Sequence, residues 1–184
     1  NNPVQLAQEH LDALREIVGE EGFSVSDYDR LSVAYGFTAY DILRLRHKII
    51  DSVPDVVLYP DTTEQVEKIV AYATEHSIPL YVYGGGSSVT RGVEPVKGGI
   101  SLDMRRRFNK VISFNEIDQT ITVQAGMSGP DLEKTLQSAP EVFGAKRQYT
   151  CGGFPQGFEY SSVGGWTVTR GAGQNSTYYG CISD

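Results

Sequence analysis

The chain has 184 residues and a mass of 20.2 kDa, with 40% hydrophobic and 21% charged residues. That is the make-up of a globular protein, not of a disordered, collagenous or coiled-coil one, and no apolar run approaches the ~20 residues of a membrane-spanning helix. Sixteen Lys and Arg against 23 Asp and Glu leave a net charge of -7 and an isoelectric point near 5.0, the wrong sign for attraction to phosphate backbones, so no nucleic-acid partner is expected.

The chain opens Asn1-Asn2-Pro3 with no Met and no signal-peptide pattern, which reads as an internal piece of a longer gene product. Leu6, Ala7, Leu11, Leu14, Ile17 and Val18 recur at helical spacing, so Val4–Val18 is expected to form an amphipathic helix stopped by Gly19. Ser26–Leu31 and Ala39–Ile50 suit short helices. The basic run Arg44, Arg46, His47, Lys48 in the second reads as a solvated helix face, with a site for an anionic group as the other reading. After Pro54 the texture changes: Asp55–Pro60 is a β-branched strand, Thr62 and Gln65 form a capping box, and Val66, Ile69, Val70 and Ala73 mark the buried stripe of a helix ending before Pro79. Leu80–Tyr83 is the next strand, which completes a βαβ unit.

Three strands follow at Ile100–Asp103, Val111–Phe114 and Thr120–Val123, with Asp118-Gln119 as a hairpin turn, then a helix capped at Ser128. The whole is an α+β mixture without the strict alternation of a doubly wound sheet. It reads as a helical segment over residues 1–52, with a domain boundary near residue 53. From Gln148 onward the chain is rich in Gly, Ser, Thr and Tyr and has little apolar content of its own, so it must lie against the rest of the domain or a ligand. Cys151 and Cys181 have no metal-ligand spacing and are too few for a disulfide framework, so no metal is expected and a reduced, cytoplasmic setting is.

Two constellations could carry chemistry. Tyr83-Gly84-Gly85-Gly86-Ser87-Ser88-Val89 directly follows a strand, and such glycines let backbone N–H groups and hydroxyls point at phosphate oxygens. It is neither a Walker loop nor the GxGxxG fingerprint, and a plain tight turn is its other reading. The second runs Phe154-Pro155-Gln156-Gly157-Phe158-Glu159-Tyr160-Ser161-Ser162-Val163-Gly164-Gly165-Trp166 and continues through Thr169-Arg170-Gly171-Ala172-Gly173. Its glycine turns, hydroxyls and arginine offer a second anion-contacting surface, against the reading of a surface loop with Trp166 as a core plug.

Taken together, YGGGSSVTRG and FEYSSVGGWTVTRGAG, with VLYPDTTEQVEKIV upstream, resemble the FAD-binding domain of the vanillyl-alcohol oxidase (PCMH-type) flavoenzymes. Within that superfamily they most resemble the alkyldihydroxyacetonephosphate synthase family, whose stretches have the forms GGGTSV and EFSTVGGW followed by TRASG. The resemblance covers residues 53–184 and implies a PCMH-type FAD-binding fold, a βαβ unit plus a small mixed sheet, preceded by the short helical segment over residues 1–52; it also implies that the domain over 53–184 is truncated at its C-terminal end. It implies that Val82, Tyr83, Gly84, Gly85, Gly86, Ser87 and Ser88 wrap the FAD pyrophosphate. Gln156, Gly157, Phe158, Glu159, Tyr160, Ser161 and Ser162 would lie along the flavin and ribityl chain. Gly164 and Gly165 would allow close approach, and Thr169, Arg170, Gly171 and Ala172 would complete the pocket. Gly171-Ala172 replaces the family's Ala-Ser, and Val82 stands where proline is common.

Some superfamily members attach FAD through a histidine near the first loop, but His10, His47 and His76 all lie upstream of it, and a thioether to Cys151 is the other covalent reading; non-covalent FAD is expected. The resemblance implies an FAD-dependent enzyme that exchanges the acyl group of a dihydroxyacetone phosphate ester for a fatty alcohol, with no net redox change. An FAD-linked oxidase or dehydrogenase of a 2-hydroxy acid such as lactate or glycolate is the alternative, and a non-catalytic nucleotide-binding module a second. It further implies a separate cap domain that supplies the catalytic groups and binds a small-molecule or lipid-like substrate, with a homodimer as the full-length state. No catalytic residue is then expected in residues 1–184, which alone would be inactive.

Overall fold

The computed structural model describes residues 2–182 and divides into two compact units, Asn1–Arg107 and Phe108–Asp184. Residues 183 and 184, the end of the expected flavin domain, lie outside the described residues. The first unit begins with α1 (Gln8–Val18), which buries Leu11, Leu14 and Val18 and ends on Gly19 at φ 74°. This helix starts later than Val4 because the Gln5 N–H donates to Asp55 Oδ1 at 2.7 Å and Ala7 is extended. A 3-10 turn (Glu20–Gly22) leads to β1 (Phe23–Ser24), then α2 (Asp27–Ser32), whose N-cap Ser26 accepts from the Asp29 N–H.

Helix α3 (Ala39–Arg46) opens with a reciprocal capping box between Thr38 and Asp41. It stops four residues before the expected Ile50: Lys48 takes a left-handed φ of 57°, and the Ile49 N–H donates back to Arg44 O at 2.9 Å. The basic run is not one solvated face, since Arg46, His47 and Lys48 are exposed but Arg44 is buried. Its guanidinium meets Glu94 at 3.1 Å and Asp51 at 2.9 Å. The helix is in effect inverted, with Asp41 and Arg44 inside and Ile42, Leu43 and Leu45 outside.

Strand β2 (Val56–Leu58) is wholly buried and followed by α4 (Thr63–Glu75). Thr62 accepts from the Gln65 N–H as expected, but Gln65 Oε1 takes the Asp61 N–H at 2.7 Å instead of that of Thr62. Ile69 and Ala73 are buried while Val70 is 43% exposed, so the stripe is narrower than the sequence suggests. Strands β3 (Leu80–Tyr83) and β4 (Ile100–Asp103) complete a sheet of order β1-β2-β4-β3. The two strands of the βαβ unit are therefore not neighbours: β4 lies between them, parallel to both, and β1 adds an antiparallel edge on β2. Val33, Val57, Tyr59, Tyr83 and Val93 form a buried cluster, and β3 ends at the glycine loop.

In the second unit, β5 (Val111–Asn115) and β6 (Thr120–Val123) form an antiparallel hairpin turned at Gln119, φ 54°. Helix α5 (Gly129–Gln137) starts where expected, with Ser128 accepting from the Asp131 N–H and proline in its first turn. It is followed by α6 (Ala139–Phe143), a 3-10 turn (Phe158–Tyr160), α7 (Val163–Thr169) and α8 (Ser176–Tyr179). Met127, Leu132, Leu136 and Trp166 form the core, against which Phe114, Ile121, Phe158 and Val163 pack. The architecture is α+β, as expected. Among the described residues no helix is long and apolar enough to cross a membrane.

Truncating the fully buried Ile69 to Ala is expected to destabilise the protein by about 2–4 kcal/mol, and truncating its exposed neighbour Val70 by less than about 0.5 kcal/mol. Denaturant midpoints of the two variants check this, and equal losses would contradict the burial assigned to α4.

Candidate functional site

The first site stretch lies at the carboxyl end of β3. Val82 is exposed and Tyr83 buried, after which Gly84 to Ser88 leave the strand as an irregular loop. Among the described residues, the amide N–H groups of Gly84, Gly85, Gly86, Ser87 and Ser88 donate to no protein acceptor. Consecutive unpaired amides with a glycine at positive φ (Gly86, 70°) form a concavity suited to an anion. A Cβ on Gly86 would run into the phenol of Tyr83, so glycine is required there for both conformation and space. Arg105 lies over the Tyr83 ring at 4.5 Å and is paired with Asp103. Burial pushes the Tyr83 phenol up, so it stays protonated and neutral beneath the loop.

The far end of this loop is fixed from the N-terminal residues. Ser88 O accepts from the Phe37 N–H at 3.3 Å, and a Cβ on Gly36 would collide with that same carbonyl. Gly36 and Phe37 carry no signal that sequence reasoning could attach to the loop, because the contact spans about fifty residues of chain.

The second stretch borders a cleft of about 710 Å³ in the second unit, lined by Gln156, Gly157, Phe158, Glu159, Tyr160 and Ala172 among others, within the usual range for small-molecule sites. Gly157 is left-handed (φ 74°) and precedes the 3-10 turn. Pro155 bridges to Gly173, and the Gln156 N–H donates to Ala172 O at 3.2 Å, which brings the two ends of the stretch together. A side chain at Gly173 would strike the carbonyl of Phe154, so this glycine, absent from the expected site residues, is needed for the closure.

The other expected residues of this stretch are not among those lining the cleft, and most have structural partners. Ser161 donates its hydroxyl to Gly157 O at 2.8 Å and accepts the Trp166 Nε1–H at 2.6 Å. Ser162 caps α7 by accepting from the Gly165 N–H. Gly164 approaches Ala125 so closely that a Cβ would fall 2.7 Å from its methyl group, and its N–H donates to Ala125 O. The Thr169 hydroxyl turns back to Gly165 O at 2.7 Å. Arg170 is exposed at a left-handed cap and, among the described residues, forms no ion pair; Gly171 donates its N–H to Trp166 O. Trp166 is thus both a core plug and the anchor of the stretch.

Cys151 is half-buried, and burial, reinforced by the nearby Glu133 carboxylate, pushes its thiol up to about 11. Of the histidines, His10 and His76 stand side by side with Tyr72 on α1 and α4, and His47 caps α3.

Residues 54–184 match the FAD binding domain family. The chain is 34% identical to an alkyldihydroxyacetonephosphate synthase of Dictyostelium discoideum over 84% of its own length and 24% of that relative. It is 26% identical to the mitochondrial D-lactate dehydrogenase (cytochrome) 1 of Saccharomyces cerevisiae, over 100% of the chain and 29% of the relative. A solved alkyldihydroxyacetonephosphate synthase structure superposes with a TM-score of 0.90 at 29% identity, covering 100% of this chain and 32% of that one. The chain therefore spans about a quarter to a third of the length of these relatives.

Replacing Ser161 by Ala leaves the buried Trp166 Nε1–H unpaired and is expected to cost about 1–3 kcal/mol, with a shifted tryptophan emission; an unchanged denaturant midpoint would contradict the assigned bond. Alkylation of Cys151 by iodoacetamide, followed by peptide mass spectrometry, is expected to be slow through pH 9 and to accelerate toward pH 11, since burial favours the neutral thiol. A rate that plateaus below pH 9 would contradict this.

Proposed function

The chain belongs to the FAD binding domain family, and from that membership we propose that it is the cofactor-holding part of an FAD-dependent enzyme of the alkyldihydroxyacetonephosphate synthase type. The observation that carries the reading is the run of unpaired amides from Gly84 to Ser88 at the end of β3, in a chain whose fold follows that of such a synthase along its whole length. The residues fit the cofactor: the amide concavity suits a pyrophosphate, and Gly86 leaves no room for a side chain.

In this reading Val82 through Ser88 hold the pyrophosphate. Gln156 through Tyr160, with Ala172, lie along the flavin and ribityl chain, and Arg170 offers a charge to an anionic group. Ser161, Ser162, Gly164, Gly165, Thr169 and Gly171 support these contacts from behind. FAD, when bound, supplies a ring system that exchanges electrons with the substrate. The role of this chain is to bind and orient it, while catalytic groups and substrate contacts come from a cap domain elsewhere in the full-length protein. The exchange of an acyl for an alkyl group on a dihydroxyacetone phosphate ester is the proposed reaction. Similarity to a D-lactate dehydrogenase over the whole chain supports oxidation of a 2-hydroxy acid as the second reading.

Non-covalent attachment is supported by the histidine positions, away from the glycine loop in sequence, and by the neutral Cys151 thiol, a poor nucleophile. A homodimer, and a reduced cytoplasmic compartment in keeping with a chain of only two cysteines, complete the proposal.

Full-length protein purified with FAD is expected to show a flavin absorption spectrum, and acid precipitation should leave the flavin in the supernatant. Yellow colour in the pellet would overturn non-covalent attachment, and a colourless full-length protein would overturn the cofactor. Product formation from an acyl-dihydroxyacetone phosphate and a fatty alcohol, against anaerobic bleaching by D-lactate, separates the two reactions.

A further inference from the structure

The buried charges of α3 and of the segment that follows the glycine loop form a connected network. Glu94 is 4% exposed and accepts from two arginines: Arg44 Nη1 at 3.1 Å on one oxygen and Arg91 Nε at 2.6 Å on the other. Arg44 is 5% exposed and also donates to Asp51 at 2.9 Å, lies 3.8 Å from Asp41, and stacks over Tyr35 at 4.6 Å. Burial alone would make Arg44 easier to deprotonate, but its bonds to Asp51 and Glu94 outweigh that and hold the charge. Arg91 itself has a left-handed φ of 62°, a strained conformation for a residue with a side chain, and its guanidinium is within 5.7 Å of the Tyr40 ring.

Glu94, Arg91 and Ser88 all belong to the segment that leaves the glycine loop, and Arg44, Tyr40, Gly36 and Phe37 all belong to the segment around α3. Two ties join them: the Arg44–Glu94–Arg91 chain, and the Phe37 N–H donated to Ser88 O. Between β3 and these ties, the amides of Gly84 to Ser88 have no acceptor of their own among the described residues to fix their direction. A buried pair is costly to break on one side only, because the remaining charge is stranded.

We infer that Arg44 and Glu94 are positioning residues for the glycine loop, holding its amides in one direction so that breaking their ion pair weakens FAD binding although neither residue belongs to the loop. The inference rests on the FAD reading above for its ligand, but not for its geometry.

The test uses full-length protein with Glu94→Gln, Arg44→Met, the double variant and Arg44→Lys. It reads FAD affinity by flavin fluorescence and, in the apo form, the hydrogen exchange of the two amides that bond to Ser88 at the end of the loop, those of Phe37 and Gly92, called loop exchange below. Glu94→Gln and Arg44→Met are each expected to weaken FAD on the order of tenfold. The double variant should be no weaker than either, Arg44→Lys should recover much of the affinity, and the Phe37 and Gly92 amides should exchange faster than in the wild type. A purely structural role would lower the thermal midpoint without singling out exchange in this loop. FAD affinities within about twofold of wild type together with unchanged loop exchange would overturn the inference. Wild-type protein that fails to bind FAD sinks the cofactor reading, and loop exchange in Glu94→Gln then decides the positioning role alone. If the buried variants do not fold, Arg91→Gln, which loosens Glu94 from the solvent side, takes their place with the same two outcomes for loop exchange.

Discussion

Backbone amides without acceptors are costly inside a fold unless water or a ligand meets them, and the run from Gly84 to Ser88 is where this chain concentrates that cost. Much of the first unit can be understood as what keeps the run open. Strand β3 is held in register by β4, pairing Tyr83 with Asp103, so the loop begins from a fixed point. Tyr83 fills the space beneath it, kept in place by burial and by Arg105, and excludes any side chain from Gly86.

How much of this is legible in the sequence follows from the range of each interaction. Ser26, Thr38, Thr62 and Ser128 each cap a helix through a bond to the residue three positions on, and local bonds of that kind declare themselves in residue type and spacing. The glycine loop was legible for the same reason, since three consecutive glycines favour neither strand nor helix and so mark where β3 must end. By contrast, the insertion of β4 between β2 and β3 depends on pairings across tens of residues, and nothing local to Ile100–Asp103 distinguishes a central strand from a hairpin partner. Helix α3 is the sharpest case. Periodicity would turn Ile42, Leu45 and Ile49 inward, yet Asp41 and Arg44 are inside because Glu94, fifty residues away, is there to meet Arg44.

The second stretch shows how a glycine-rich segment acquires order with little apolar content. Trp166 inserts into a core built by Met127, Leu132 and Leu136, stacks on Phe158 at 5.6 Å, and donates to Ser161. From that anchor, short-range bonds fix the rest: Ser162 caps α7, Gly164 lies against Ala125, and Gly171 returns to Trp166. The glycines were visible in the sequence as freedom, whereas their actual use is close packing at Gly164 and Gly173. A helix at Val163–Thr169 was not expected because paired glycines disfavour it. The serine cap and the buried tryptophan override that propensity.

A chain of net charge -7 is an unpromising partner for a pyrophosphate, and the resolution lies in distance. Surface charges act through a screening length of roughly 8 Å at physiological salt, so the many carboxylates elsewhere contribute little at the loop, while amides act at hydrogen-bond range in a partly dehydrated setting. Two carboxylates on the segments next to the loop are ion-paired: Glu94 with Arg44 and Arg91, and Asp103 with Arg105. Pairing those carboxylates removes the local repulsion that would otherwise oppose an anion, and it does so with arginines whose charge survives burial. The ion pairs and the unpaired amides thus act in the same direction: the first offset the charges of Glu94 and Asp103, and the second present the positive ends of backbone dipoles to an anion.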